Sequence, residues 1–236
     1  MQNLTIVVPF YNEAQSAAKF GDLLKEFEVR SEITFLMVDN GSIEGHALKS
    51  LWATGMPRNI QVLHLKENRG FGGGILAGIA IAQTSHVCWM PGNLKVKPAD
   101  AVNLWDLWIS SGFAPDAVKS SRRRHSKVDS LKTFGAGLIT SIMYRYWLFD
   151  SGATPTLVST SFMKSILKNA PTGYDFELFV LYQMRKSGLK ILRPKVNYGS
   201  RVYGNSHWQT SLHSELSLLK QMLSHRSEWK QIKGRL

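Results

Sequence analysis

One cysteine, Cys88, stands in 236 residues. A single thiol excludes an internal disulfide and fits a reducing compartment. Cys88 lies inside the apolar run Val87–Met90, so it reads as a small core residue rather than a nucleophile. No Cys/His constellation has metal-ligand spacing, and no Ser, His and Asp stand in a defensible triad order. Long apolar runs are missing as well. The longest, such as Ile75–Ala82, fall far below the ~20 residues of a membrane-spanning helix. The N-terminus lacks the basic n-region and the cleavable apolar stretch of a signal peptide. Internal repeats and low-complexity linkers are absent. These absences predict a soluble or peripheral protein of cytoplasmic location, with 1–236 as a single domain.

Acidic residues are also scarce. There are 17 against 29 basic ones, a net charge of +12, and such a surface favours nucleic acid, anionic membrane or phosphorylated ligands. Nucleic acid gains no further support, because no helix-turn-helix pattern, zinc spacing or aromatic RNA-binding signature accompanies the charge. No nucleic-acid partner is expected.

What is present is an alternation. Leu4–Val8, rich in β-branched residues, and Ile33–Val38, Ile60–Leu65 and Val87–Met90 are short, mainly apolar runs, each ended by Pro, Asn, Asp or Gly or by a polar segment. Between them, residues 13–28, 46–53 and 70–82 carry helical spacing or small residues, and 99–110 follows as another helix. Asn12 is placed to cap the first helix. This β-α-β-α order predicts an α/β fold, a mostly parallel central sheet with helices on both faces. Beyond it the pattern loosens. Residues 117–118 form a short strand, 131–149 an aromatic-rich helical stretch, 174–187 an amphipathic helix, 190–194 and 196–198 short strands. A helix over 212–223 and a basic tail end the chain.

Ligands of open α/β sheets bind beyond the carboxyl ends of the parallel strands. The stretch 86–98, where Val87–Met90 meets Pro91-Gly92-Asn93-Leu94-Lys95, is therefore the expected reaction corner. Asp39, at the end of the second strand, is either a turn former before Asn-Gly or an acceptor for a base or ribose. The glycines of 70–78 lack the G-x-G-x-x-G spacing and follow the third strand, which excludes the dinucleotide fingerprint. Opening a helix, they offer bare N–H groups to an anion or close packing to a strand. Ser121–Lys127 holds Arg122, Arg123, Arg124, Lys127 and His125, a solvated loop or a phosphate-binding cluster.

Taken in order, Ile6-Val7-Val8-Pro9-Phe10-Tyr11-Asn12-Glu13, Val38-Asp39-Asn40-Gly41-Ser42, Asn68-Arg69-Gly70-Phe71-Gly72, Ser121-Arg122, Asp150, Gly173–Glu177 and Arg201-Val202-Tyr203-Gly204-Asn205-Ser206 resemble the family 2 glycosyltransferases. The subgroup that makes dolichyl-phosphate mannose and bacterial polyprenyl-phosphate sugars is the most similar. The resemblance implies a GT-A fold, with residues 1–98 binding a UDP- or GDP-linked sugar, 99–210 binding the acceptor, and 211–236 as a C-terminal helix and tail. It implies that Pro9, Tyr11, Glu13, Asp39, Asn68 and Gly70 hold the nucleotide. Arg122, Arg123, Arg201, Ser206 and His207 would meet phosphates or acceptor. The implied reaction is inverting transfer to a polyprenyl phosphate or lipid-linked glycan, in cell-envelope polysaccharide or glycoconjugate synthesis. It would run at the anionic inner face of a membrane, where the 131–149 helix and the basic tail would rest. A hydroxyl acceptor would need a base, Asp175 or Glu177.

Three departures stand out. Asn40 replaces a usual second aspartate. His207 replaces a usual lysine. At the fourth strand end, Pro91-Gly92-Asn93 replaces Asp-x-Asp, so Mg2+ or Mn2+ is disfavoured and no metal ligands are assigned. Asn93, Lys95, Asp175 and Arg201 are the expected catalytic residues, with Lys95, helped by Lys97 and Arg201, standing in for the metal. The competing reading is a non-catalytic sugar-nucleotide or polyanion-binding module that has lost Asp-x-Asp.

Overall fold

A computed structural model describes residues 2–43, 56–123, 127–200, 202–203, 224–232 and 234, without the side chains of 127–133. The helices expected over 46–53 and 212–223, together with Arg124, His125, Arg201, Ser206 and His207, lie outside the described residues. The strands are β1 (Leu4–Phe10), β2 (Ile33–Asp39), β3 (Ile60–His64), β4 (His86–Trp89), β5 (Ala117–Lys119), β6 (Ser121–Arg123), β7 (Thr156–Ser159), β8 (Ile191–Leu192) and β9 (Lys195–Asn197). The helices are α1 (Ala14–Leu24), α2 (Gly70–Ile81), α3 (Pro98–Ser110), α4 (Lys127–Tyr144), α5 (Thr160–Ile166), α6 (Phe176–Lys186) and α7 (Arg226–Gln231).

Seven strands form one sheet in the order β3-β2-β1-β4-β7-β5-β8. β1 is parallel to both β2 and β4, and β2 is parallel to β3. The chain steps outward from β1 through β2 to β3, then returns to the other side of β1 as β4. That reversal makes the space beyond the carboxyl ends of β1 and β4 the topological switch point, where open α/β sheets bind ligands.

The apolar runs of β1 and β2 are continuous because helices cover both faces. Leu4, Ile6, Val8 and Phe10 pack with Ile33, Phe35 and Met37 against α1 and α3. Val7, Leu36 and Val38 face α2, α5 and α6. Each such buried side chain contributes about 1.5–3 kcal/mol. α2 lies close on the sheet because Gly78 has no side chain: a Cβ there would sit 2.5 Å from Cγ1 of Val7.

Several boundaries differ from the sequence-based expectations, each for a local reason. β1 runs through Pro9 to Phe10, level with Asp39 of β2. Phe10 C=O accepts the N–H of Asn40 on the β2 side, so the missing N–H of Pro9 faces the β4 side, past the last β1–β4 pair at Val7 and Trp89. Asn12 does not cap α1; its Oδ1 accepts the N–H of Ile43 at 2.9 Å instead. α4 starts earlier than expected and stops at Tyr144, where Arg145 turns left-handed at φ +62°. Ser121–Arg123 is no loop but a strand paired with β9. β7 and α5 were not expected at all. β7 is antiparallel to both β4 and β5, so it interrupts a sheet that is parallel over the first four strands and parallel again between β5 and β8.

Candidate active site at the carboxyl ends of the central strands

The loops leaving β1, β2 and β3 are tied together by side chains that the sequence offers as turn formers. Asp39 Oδ1 accepts the N–H of Ser42 at 3.0 Å, Ser42 Oγ accepts the N–H of Asn12 at 3.0 Å, and Asp39 Oδ2 lies 3.3 Å from His64 Nδ1. Asp39 is thus buried, with both carboxylate oxygens engaged inside the protein. Of the two sequence readings of Asp39, the turn is the one these bonds carry, and the residue stands level with the end of β1.

Asn40 explains why an amide can stand where the resemblance leads one to expect a second carboxylate. Its Nδ2 donates to the carbonyl of Gly70 at 2.9 Å and to Asn68 Oδ1 at 3.1 Å, while its Oδ1 accepts the N–H of Arg69 at 3.1 Å. A carboxylate could not donate either bond. Asn68 Oδ1 also accepts the N–H of Gly70 at 2.8 Å. Gly70 is left-handed at φ +78°, and a Cβ there would meet the carbonyl of Thr172 at 2.6 Å. The glycine run is therefore packed rather than bare. The N–H of Gly73 donates to Thr172 C=O at 3.0 Å, which docks the start of α2 on the loop before α6. The structure thus brings Pro9, Asp39, Asn68 and Gly70 into one neighbourhood. Tyr11 and Glu13 follow directly on β1, both partly buried, and Glu13 accepts a hydrogen bond from Ser16 Oγ at 2.7 Å.

The loop after β4 closes the same corner. Gly92 lies so near Phe10 that a Cβ would stand 2.3 Å from the ring. Leu94 is left-handed at φ +59° yet buried, a conformation that costs roughly 1–3 kcal/mol and persists only where packing imposes it. Asn93 Oδ1 accepts the N–H of Lys95 at 3.2 Å. A hard divalent cation needs several oxygen donors, preferably carboxylates. This strand end offers a proline, a glycine, one amide oxygen already engaged, and an ammonium, so it does not fit such an ion. Among the described residues no group of three or more His, Cys, Asp or Glu side chains could hold a metal.

On the acceptor side the expected residues part company. Arg122 pairs with Asp150, its Nε at 2.7 Å and its Nη2 at 2.6 Å both on Oδ1, its own N–H donates to Asp150 Oδ2 at 2.7 Å, and its guanidinium lies over the Tyr198 ring. Arg123, the next residue of β6, is exposed and points to the opposite face of the strand. Arg122 and Arg123 therefore do not share one patch. Glu177 is no free base: its Oε2 accepts from Lys119 Nζ at 2.7 Å and its Oε1 from Trp89 Nε1 at 2.7 Å, with Lys119 wholly buried. Burial lowers the Lys119 ammonium's pKa and Glu177 opposes that shift. Asp175 is wholly buried, its carboxyl has no hydrogen-bond partner among the described residues, it lies 3.9 Å from His225 Nε2, and burial raises its carboxyl above the usual range.

The Lys119–Glu177–Trp89 group was not anticipated from sequence. Its one signal is a lysine ending the apolar run Ala117–Val118, where a solvated charge does not belong. Cys88, as expected, is buried, and burial pushes its thiol up.

The sequence pattern of glycosyl transferase family 2 matches residues 5–130. The chain belongs to this family of glycosyltransferases. Solved structures repeat the GT-A architecture over nearly the whole chain. Glucosyl-3-phosphoglycerate synthase from Mycobacterium tuberculosis, in complex with Mn2+, UDP-glucose and phosphoglyceric acid, superposes with TM-score 0.71 at 15% identity, covering 98% of this chain and 80% of that one. Mannosyl-3-phosphoglycerate synthase from Rubrobacter xylanophilus does so with TM-score 0.70 at 17% identity, covering 100% and 77%. No curated protein matches the sequence significantly. Among the described residues of this family 2 chain, no helix is long and apolar enough to cross a membrane.

Proposed function

We propose that this glycosyltransferase moves a sugar, with inversion, from a UDP- or GDP-linked donor to a lipid-borne phosphate such as a polyprenyl phosphate. The observation that carries the choice of acceptor is the withdrawal of the candidate bases. Asp150 is bound to Arg122, Glu177 to Lys119 and Trp89, and Asp175 is shut off from solvent. A hydroxyl acceptor must lose a proton to a base within reach. A phosphate oxygen need not. Its lone pair forms the new bond to C1 of the sugar, the C1–O bond to the nucleotide breaks, and that electron pair goes to the β-phosphate oxygen. No proton moves.

The lipid part of the reading rests on α4. Phe134, Leu138 and Ile142 are spaced by four and exposed, and Ile139, Tyr146 and Trp147 extend the same apolar surface. Aromatic and aliphatic side chains on a helix of a strongly basic protein suit the interface of an anionic membrane. On this reading Pro9, Tyr11, Glu13, Asp39, Asn68 and Gly70 form the nucleotide-binding edge, and residues 99–210 receive the acceptor.

A second reading keeps the donor and changes the acceptor. The M. tuberculosis relative was solved with phosphoglyceric acid, and a small phosphorylated hydroxy acid would also suit the basic surface here. Transfer from UDP- and GDP-sugars, offered polyprenyl phosphate in vesicles and phosphoglyceric acid in parallel, separates the two. Product on the lipid alone is expected. Asp39→Ala should lose about 10- to 150-fold in nucleotide affinity by calorimetry, the worth of a charge-assisted hydrogen bond. Unchanged affinity in a folded variant would remove Asp39 from the donor site.

A further inference from the structure

A leaving nucleoside diphosphate gains negative charge as its bond to the sugar breaks, and some cation must meet it. The strand end where this family's metal would sit does not fit a divalent ion, as its donor set shows. The same loop carries another cation whose placement is tightly fixed. The N–H of Lys95 is held by Asn93 Oδ1 at 3.2 Å, and its C=O accepts the N–H of Gly199 at 2.9 Å. On one side of it Leu94 is locked left-handed with its side chain buried, and on the other Val96 is buried in the core. Gly92, three residues earlier, is packed on the Phe10 ring. Lys95 is thus clamped between the end of β4 and the loop after β9, beside the switch point of the sheet.

Its side chain contrasts with other cations of the fold. Arg30 is spent on Glu32 and Asp106, Lys119 on Glu177, and Arg122 on Asp150. Lys95 is half-buried and makes no ion pair or side-chain hydrogen bond among the described residues. A lysine ammonium is a compact point charge with three donors, a form of phosphate recognition that needs no metal.

We infer that Lys95 supplies the charge that a divalent cation supplies elsewhere, binding the donor diphosphate directly and stabilising it as it leaves. The inference rests on the nucleotide-sugar reading above and goes beyond it by naming the group that meets the leaving charge. The electron pair of the broken C1–O bond goes to the β-phosphate oxygen, and the Lys95 N–H groups hydrogen-bond to the diphosphate.

The test is binding of UDP, GDP and the matching monophosphates to the whole chain by calorimetry, in EDTA and then with MnCl2. Wild type is expected to bind one diphosphate equally well, within about twofold, under both conditions. Lys95→Met, which keeps most of the apolar stem, should lose about 10- to 150-fold for that diphosphate, the equivalent of one charge-assisted hydrogen bond. It should lose far less for the monophosphate, a split that general unfolding would not produce. Lys95→Arg should restore most of the loss. Diphosphate binding that appears only with Mn2+ overturns the inference while leaving the donor reading intact, and so does unchanged binding by Lys95→Met. Failure of both UDP and GDP to bind wild type under either condition overturns the donor reading itself, and the inference with it.

Discussion

Among the described residues up to 98, the large apolar side chains left in water are Val29, Ile43 and Ile81, far apart in the chain. From 99 onward they are more numerous, and six of them, Phe134, Leu138, Ile139, Ile142, Tyr146 and Trp147, fall within fourteen residues of sequence. Buried charge follows the same division. The first region buries Asp39 as its one acidic or basic side chain other than histidine, whereas the second buries Lys119, Asp175 and Glu177. Scattered exposed apolar residues are ordinary, but a contiguous set marks a surface that meets something apolar. The first region is a sheet-and-helix core whose polar groups are spent on loop geometry. The second region keeps charge inside and apolar surface outside, and the proposal of a lipid-borne acceptor stands on that surface.

The sharpest way to break this contrast is at the buried charge. Glu177 joins three elements, because Trp89 belongs to β4, Lys119 to β5 and Glu177 itself to α6. Glu177→Ala leaves a wholly buried ammonium without its ion-pair partner. Removing one partner of such a pair costs about 3–5 kcal/mol, so the melting temperature should fall by roughly 6–20 °C in a chain of this size. Denaturant titration checks the free energy. A loss below about 1 kcal/mol would show that water reaches Lys119 and that the pair does not hold the two regions together.

How much of this was legible in the sequence also divides at about residue 98. β1, β2 and β4 declared themselves through nearly continuous apolar runs, as a sheet covered on both faces produces, whereas β3, Ile60–His64, is interrupted by Gln61 and only half-buried at the sheet edge. Asp39 and the loop around Gly70 were legible as places, though not as bonds. Nothing in the sequence says that Asn40 joins Asn68, Arg69 and Gly70, because those contacts span about thirty residues and depend on how the loops return. β7 escaped notice because its four residues, Thr156–Ser159, carry no alternation, and its pairing partners lie far away in sequence. The run from Arg122 to Lys127 suggested a single basic patch. A strand sends neighbouring side chains to opposite faces, and one of its arginines found Asp150 instead.

An intermediate effect is expected at the α4 surface. Co-sedimentation with anionic and neutral vesicles should show binding to the anionic ones that weakens with salt. Ile142 and Trp147 are the most exposed members of the set, at 68% and 66%, so their loss should be felt by a membrane and hardly by the fold. Burial of a large apolar side chain contributes about 1.5–3 kcal/mol. The pair Ile142→Asp and Trp147→Ala should therefore reduce vesicle binding at least about tenfold at an unchanged melting temperature. A lower melting temperature, or equal binding, would mean that the surface serves the protein and not a bilayer.

The smallest effect concerns Asp175, and its sign distinguishes a buried charge from a buried shape. Burial raises its carboxyl above the ordinary value, and His225, 3.9 Å away, opposes that shift without cancelling it. Tyr144, whose own hydroxyl is raised mainly by burial, is the other titrating group facing it. A carboxyl that holds its proton more tightly in the folded chain than in the unfolded one stabilises the fold fully below the unfolded value, about 3.9. That contribution is lost as pH rises through the folded value. At neutral pH, well above the unfolded value, that contribution is diminished, and among the described residues no hydrogen bond to the Asp175 carboxyl makes it up. Asp175→Asn removes the charge and keeps the shape. It should melt about 1–3 °C above wild type near pH 7, and the gap should close as the pH is lowered towards 4. Melting curves at three pH values decide the matter. A gap that stays constant with pH would assign the difference to packing, and a variant less stable than wild type at pH 7 would show that the pairing with His225 outweighs the burial.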